Sequence, residues 1–150
     1  MSKPLLSTSR SLPIALLRAR EKVMGPIRNL LADVDVTEQQ WRVLRVLEEG
    51  GPMEPTRIAE QSCLLLPSLT RILQKLDEKK LIQRKTDKTD RRRQIVRITP
   101  RGSRLIEENL DKNLAFLEEV RTRLGPERFD TLLDLLTALN QLDQEPPEAG

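Results

Sequence analysis

The stretch from Leu66 to Thr99, LPSLTRILQKLDEKKLIQRKTDKTDRRRQIVRIT, narrows what this chain can fold into more than any other. Pro67 suits the first turn of a helix, where its missing N–H costs nothing. Leu69, Ile72, Leu73 and Leu76 then recur at helical spacing and predict one buried face. Ser68, Thr70, Arg71, Gln74 and Lys75 fall off that face. Residues 81–86 and 94–99 read as two strands around the basic tip Asp87-Lys88-Thr89-Asp90-Arg91-Arg92-Arg93. A helix of this kind fits the major groove of DNA, and a basic hairpin tip reaches the minor groove or the phosphates. The pattern predicts a mainly α fold with a small β-hairpin, a winged helix–turn–helix.

Charge supports the same surface. The net charge is only +3, but residues 71–104 hold thirteen of the 26 basic residues and four of the 23 acidic ones. The rest of the chain is therefore net acidic, and the basic segment coincides with the helix and hairpin, as a polyanion-binding surface would. Several classes drop out. The chain has no histidine, no tyrosine and a single cysteine, Cys63. No intrachain disulfide is possible, no zinc site of usual ligands is expected, and histidine-assisted nucleophilic catalysis is excluded. No metal, cofactor or enzymatic activity is expected. No signal peptide and no run of about 20 apolar residues is visible, so a cytoplasmic location is expected.

Around this centre the chain reads as one domain. Residues 1–10 read as a flexible arm. Ser11 and Pro13 open a helix whose apolar stripe (Leu16, Val23, Ile27, Leu30, Leu31, Val34) keeps its phase across Gly25-Pro26, so one kinked helix is expected. Thr37 to Gln40 is a capping-box pattern. It opens a helix with Trp41, Val43, Leu44, Val46 and Leu47 as apolar positions. Pro55 opens a short helix with Ile58 and Ala59 inward; with residues 67–80 it forms the helix–turn–helix pair. Thr99-Pro100 starts a long amphipathic helix, Gly125-Pro126 breaks it, and a leucine-rich helix follows. Residues 144–150 read as a flexible tail. The expected division is a DNA-binding lobe over about 37–99 and dimerisation helices over about 11–35 and 100–143. A lobe of that size cannot cover every leucine of the terminal helices, so a homodimer is expected, and a two-fold protein reads a palindromic operator in double-stranded DNA.

The order of these pieces resembles the multiple-antibiotic-resistance-regulator (MarR) family of dimeric winged-helix repressors. The resemblance spans roughly Leu12 to Leu142. It rests on Thr37-Glu38-Gln39-Gln40-Trp41, Ile58-Ala59, Pro67 to Leu73, Leu76 to Ile82, Asp90-Arg91-Arg92-Arg93 and Ile98-Thr99-Pro100-Arg101-Gly102. Within the family, residues 14–21, 39–43 and 63–70 resemble the homoprotocatechuate-degradation repressors, which control operons for aromatic-acid catabolism.

The resemblance implies roles. Arg92 is expected in the minor groove with Asp90 holding its orientation, and Arg91 and Arg93 on phosphates. In the recognition helix, Arg71 and Gln74 are the expected base readers, since Arg pairs with guanine and Gln with adenine. Ser68 and Thr70 are expected on phosphates, with Lys75 beside them. Family proteins of this kind bind aromatic acids between the dimerisation helices and the DNA-binding lobe. The effector expected here is a small aromatic carboxylate, with Arg18 and Arg42 as anion anchors and Trp41 as the wall. Cys63, set among leucines, is expected to be an inert core residue. The alternatives are a family regulator answering oxidation at Cys63 or a non-aromatic ligand, a nonspecific architectural DNA-binding protein, or a helical protein-binding adaptor.

Overall fold

The computed structural model describes residues 7–142. Six α-helices and one hairpin follow in the order α1 (Leu12–Ala32), α2 (Glu38–Gly50), α3 (Pro55–Ser62), α4 (Leu66–Glu78), β1 (Ile82–Thr86), β2 (Gln94–Ile98), α5 (Pro100–Leu124) and α6 (Pro126–Asn140). The chain divides into two compact units, residues 1–111 and 112–150. Of the arm expected over residues 1–10, Thr8–Arg10 form a one-turn 3-10 helix. Residues 1–6, and the tail expected over 144–150, lie outside the described residues.

In the first unit, α2, α3 and α4 pack against the hairpin. Their core is Val43, Leu44 and Leu47 from α2, Ile58 and Ala59 from α3, and Leu69, Leu73 and Leu76 from α4, closed by Ile82, Val96 and Ile106. These are the faces that the helical spacing predicts. Trp41 and Ile72 are half-buried at the rim of this core. The capping box forms: Thr37 Oγ1 accepts from the Gln40 N–H at 3.1 Å, and Gln40 Oε1 accepts from the Thr37 N–H at 3.2 Å. α1 runs unbroken through Pro26, as expected.

β1 and β2 pair antiparallel, from Ile82 opposite Ile98 at the base to Thr86 opposite Gln94 at the tip. Met53, between α2 and α3, adds a bridge to Val96 through two backbone hydrogen bonds of 3.0 and 2.9 Å. The hairpin is thus anchored to the loop ahead of α3 as well as to α4.

Three helices end in the same way. The N–H groups of Val36, Leu64 and Leu81 reach back five residues to the carbonyls of Leu31, Ala59 and Leu76. Asp35, Cys63 and Lys80 stand just before them with φ of 55°, 56° and 60°. This is the Schellman closure, which satisfies orphan carbonyls by turning one residue left-handed. Glycine is the usual occupant, and none is used here. The geometry also corrects the expectation for Cys63. As the left-handed cap of α3 it is exposed, not buried, because the turn points its Cβ away from the core.

Among the described residues, several leucines of the terminal helices are left uncovered. Leu12, Leu16 and Leu17 of α1 are exposed, as are Leu132, Leu133 and Leu135 of α6, and no described side chain of α6 is buried.

Candidate nucleic-acid interface

α4 is oriented by burial of Leu69, Leu73 and Leu76, and the opposite face follows from the helical period. That face presents Thr70, Arg71, Gln74 and Lys75 to solvent, with Ser68 half-exposed in the first turn. Arg71 and Gln74 lie one turn step apart, so two side chains with bidentate hydrogen-bonding ends share one strip. Thr70 is engaged within the helix in the unbound protein. Its hydroxyl donates to the Leu66 carbonyl at 3.0 Å, so its proton is already used within the helix. Lys75 lies 3.8 Å from Glu78 in an exposed pair.

The wing tip is ordered by its own side chains. Asp87 Oδ1 accepts from the Thr89 N–H at 3.0 Å and from the Thr89 hydroxyl at 2.9 Å. These bonds hold the Asp87 carboxyl below its ordinary pKa of 3.8, because they favour the charged form. Asp90 Oδ1 accepts from the Arg92 N–H at 3.0 Å and from Arg92 Nε at 3.3 Å. The Arg92 side chain remains 93% exposed. The structure therefore brings Asp90 and Arg92 together as expected, with the guanidinium held by its inner edge and its outer edge in solvent. Arg91 is exposed beside it. Arg93, expected on phosphate, instead reaches down the wing, where its Nε donates to Glu54 Oε1 at 2.6 Å. That carboxylate raises the Arg93 pKa further.

Braces that the sequence did not reveal fix the wing against the helices. Arg84 of β1 donates through Nε at 3.0 Å and Nη2 at 2.8 Å to Asp77 Oδ2 near the end of α4. Thr99 Oγ1 donates to the Lys80 carbonyl at 2.7 Å and accepts from the Gly102 N–H at 3.2 Å, capping α5. Gly102 is there because nothing larger fits: an added Cβ would lie 2.4 Å from the Leu81 carbonyl oxygen. The Ile-Thr-Pro-x-Gly pattern thus seats α5 on the junction between α4 and β1.

The site is thus a helix–turn–helix followed by a braced basic hairpin. The MarR family pattern matches residues 36–93, from the start of α2 to the wing tip. The chain is 37% identical over 143 residues to the HTH-type transcriptional regulator FarR of Neisseria gonorrhoeae, covering 93% of this chain and 96% of that protein. It belongs to the MarR family. It is also 32% identical over 126 residues to the homoprotocatechuate degradative operon repressor of Escherichia coli, covering 84% and 85% of the two chains. Among solved structures it is similar to NadR in complex with 4-hydroxyphenylacetate, with a TM-score of 0.81 and 35% identity over 94% of this chain and 100% of that one.

In this MarR-family regulator the three residues expected around an effector have different surroundings. Arg18 is exposed on α1 and Trp41 is half-buried. Arg42 spends both terminal nitrogens inside the protein. Nη1 donates to the Ser62 carbonyl at 2.8 Å, and Nη2 to Glu38 Oε1 at 3.4 Å. Its Nε is buried without a hydrogen-bond partner among the described residues. Glu38, with its side chain only 10% exposed, also receives Arg20 and Arg28 from α1. Three guanidinium groups thus converge on one carboxylate, and through Arg42 they reach the last residue of α3. Nothing in the sequence signals the Arg20–Glu38 pairing, since its partners stand eighteen positions apart.

Proposed function

We propose that this protein is a dimeric repressor that binds a palindromic operator through α4 and the wing and is released by a small aromatic carboxylate. The observation that carries the DNA-binding part is the wing tip. Asp90 holds an arginine whose side chain is 93% exposed, one hairpin away from a helix face bearing Arg71 and Gln74. A narrow minor groove concentrates negative potential and attracts a guanidinium, while the major groove admits the helix. The uncovered leucines of α1 and α6 support a two-chain assembly, in which two copies of α4 would stand roughly 34 Å apart, one turn of DNA.

The aromatic-acid part is supported by the relatives: one represses a homoprotocatechuate degradative operon, and a similar chain was crystallised with 4-hydroxyphenylacetate. In this reading Arg18 offers the cation and Trp41 the apolar wall. Arg42 engages a ligand only by loosening its hold on Glu38 or on the Ser62 carbonyl. That trade links the ligand to the turn ahead of α4, and the ligand shifts the spacing of the two reading heads by its differential affinity.

The test is fluorescence anisotropy with the duplex upstream of the protein's own gene and a random duplex, with and without 4-hydroxyphenylacetate, while Trp41 emission is followed. Preference for the upstream duplex, and its loss with ligand, is expected. Equal affinity for both duplexes leaves an architectural DNA-binding role instead. Preference without any ligand response removes the hydroxyphenylacetate assignment. The exposure of Cys63 favours oxidation as a second signal. Mass spectrometry after mild peroxide treatment decides it, since an unmodified thiol excludes that route.

A further inference from the structure

The pair between Arg93 and Glu54 differs from the other wing braces. Arg84 gives two N–H groups to Asp77 with its side chain 29% exposed. Arg93 gives only its Nε–H, and the two side chains remain 55% and 40% exposed. The backbone around Arg93 is held independently of that contact. Its N–H donates to the Asp90 carbonyl at 3.0 Å and its carbonyl accepts from the Asp87 N–H at 2.9 Å. The guanidinium can therefore change partner while the tip keeps its shape.

Position and charge indicate which partner. Arg93 follows Arg92 directly, so its Cα lies about 3.8 Å from that of the residue aimed at the minor groove. Phosphates line both edges of that groove. Glu54 and Arg93 also border a cleft whose lining includes Arg57 and Ile95. One carboxylate and two arginines line it, so the cleft is net positive. Glu54 takes only one N–H, whereas a backbone phosphate can take two from the guanidinium fork, and it stands in a line of like phosphates whose field an isolated carboxylate lacks.

We propose that Glu54 is an intramolecular stand-in for a DNA phosphate: it holds Arg93 in the unbound protein, and on binding Arg93 exchanges Glu54 for a backbone phosphate beside the minor groove. This rests on the DNA-binding reading above. Glu54 then sets a threshold against every DNA sequence alike, while α4 supplies the preference among sequences.

The experiment is a mutant cycle on the full-length protein: wild type, Glu54→Gln, Arg93→Ala and the double variant. Each is titrated with a random-sequence duplex by anisotropy over a salt series. Glu54→Gln is expected to bind two- to five-fold more tightly per subunit, roughly what an exposed ion pair holds back. Arg93→Ala is expected to bind more weakly, with the slope of log K against log salt shallower by about 0.9 per subunit. In the Arg93→Ala background the gain from Glu54→Gln is expected to vanish. Weaker binding by Glu54→Gln overturns the proposal, because the pair is then a brace that persists on DNA. A gain that survives in the double variant also overturns it, because it then reports only the removal of a negative charge. Wild-type affinity and slope for Arg93→Ala do the same. Absence of binding by the wild type overturns the DNA-binding reading instead.

Discussion

Replacing Gly102 by alanine tests how α5 is seated, and its sign runs against helix propensity. Gly102 lies in the first turn of α5, where an alanine would ordinarily gain about 1 kcal/mol over glycine. The structure opposes that gain with two contacts. The new Cβ would sit 2.4 Å from the Leu81 carbonyl oxygen and 2.6 Å from Ile98 Cγ1, against an ordinary separation of about 3.5 Å. Leu81 cannot simply retreat, because its carbonyl accepts from the Thr99 N–H at 3.0 Å. Overpacking of this kind costs about 1–3 kcal/mol, and weakening that hydrogen bond adds about 1 kcal/mol. The net expectation is a loss of about 1–3 kcal/mol after the propensity gain is subtracted. Gly25→Ala is the control, since its added Cβ meets nothing closer than 3.8 Å and its gain of about 0.5–1 kcal/mol is unopposed. Urea unfolding followed by the emission of Trp41, at one fixed protein concentration, measures both. DNA affinity of the folded Gly102→Ala protein is also expected to fall, because the displaced Leu81 begins the wing. A Gly102→Ala protein as stable as the wild type, with unchanged DNA affinity, would show that α5 does not seat on the Leu81 carbonyl and would refute the reasoning.

Three further outcomes are expected. Arg92→Ala weakens binding to all duplexes, and Arg71→Ala weakens it with a loss of sequence preference, at roughly 1–3 kcal/mol for each lost base contact; unchanged gel shifts for both would remove the interface assignment. Cys63→Gly relieves a left-handed non-glycine residue and is expected to raise stability by about 1 kcal/mol in urea without changing DNA affinity. Thr89→Val removes the hydroxyl bond to Asp87, so the Asp87 carboxyl is expected to titrate closer to 3.8 by NMR than in the wild type. Because the folded-state value is the lowered one, the stabilising contribution of Asp87 is present above 3.8 and is lost as the pH falls through that lowered value.

The residues show which parts of this architecture are local. The core faces of α2, α3 and α4, the Thr37 capping box, the continuity of α1 through Pro26 and the two strands of the hairpin all follow from the spacing of apolar and turn residues along one stretch of chain. The Asp90–Arg92 contact was implied by the family resemblance, and it too is local, since its partners stand two positions apart. Its role came from a resemblance, and its geometry from the turn itself. What depended on packing was not legible. Cys63 sits in a leucine run and reads as core, yet closing α3 turns it outward. Arg93 and Arg42 read as anion contacts, yet their guanidinium groups meet Glu54 and the Ser62 carbonyl, 39 and 20 positions away.

Sequence alone determined the elements and the chemical character of the reading face, because helix period, strand alternation and capping act over a few residues. Tertiary structure decided which charges are spoken for. A long charged side chain can reach any element that packing brings within a few ångströms, and periodicity carries no record of that. Glu38, Glu54 and Asp77 are ordinary surface acids in the sequence; the fold makes each the fixed point for an arginine from another element.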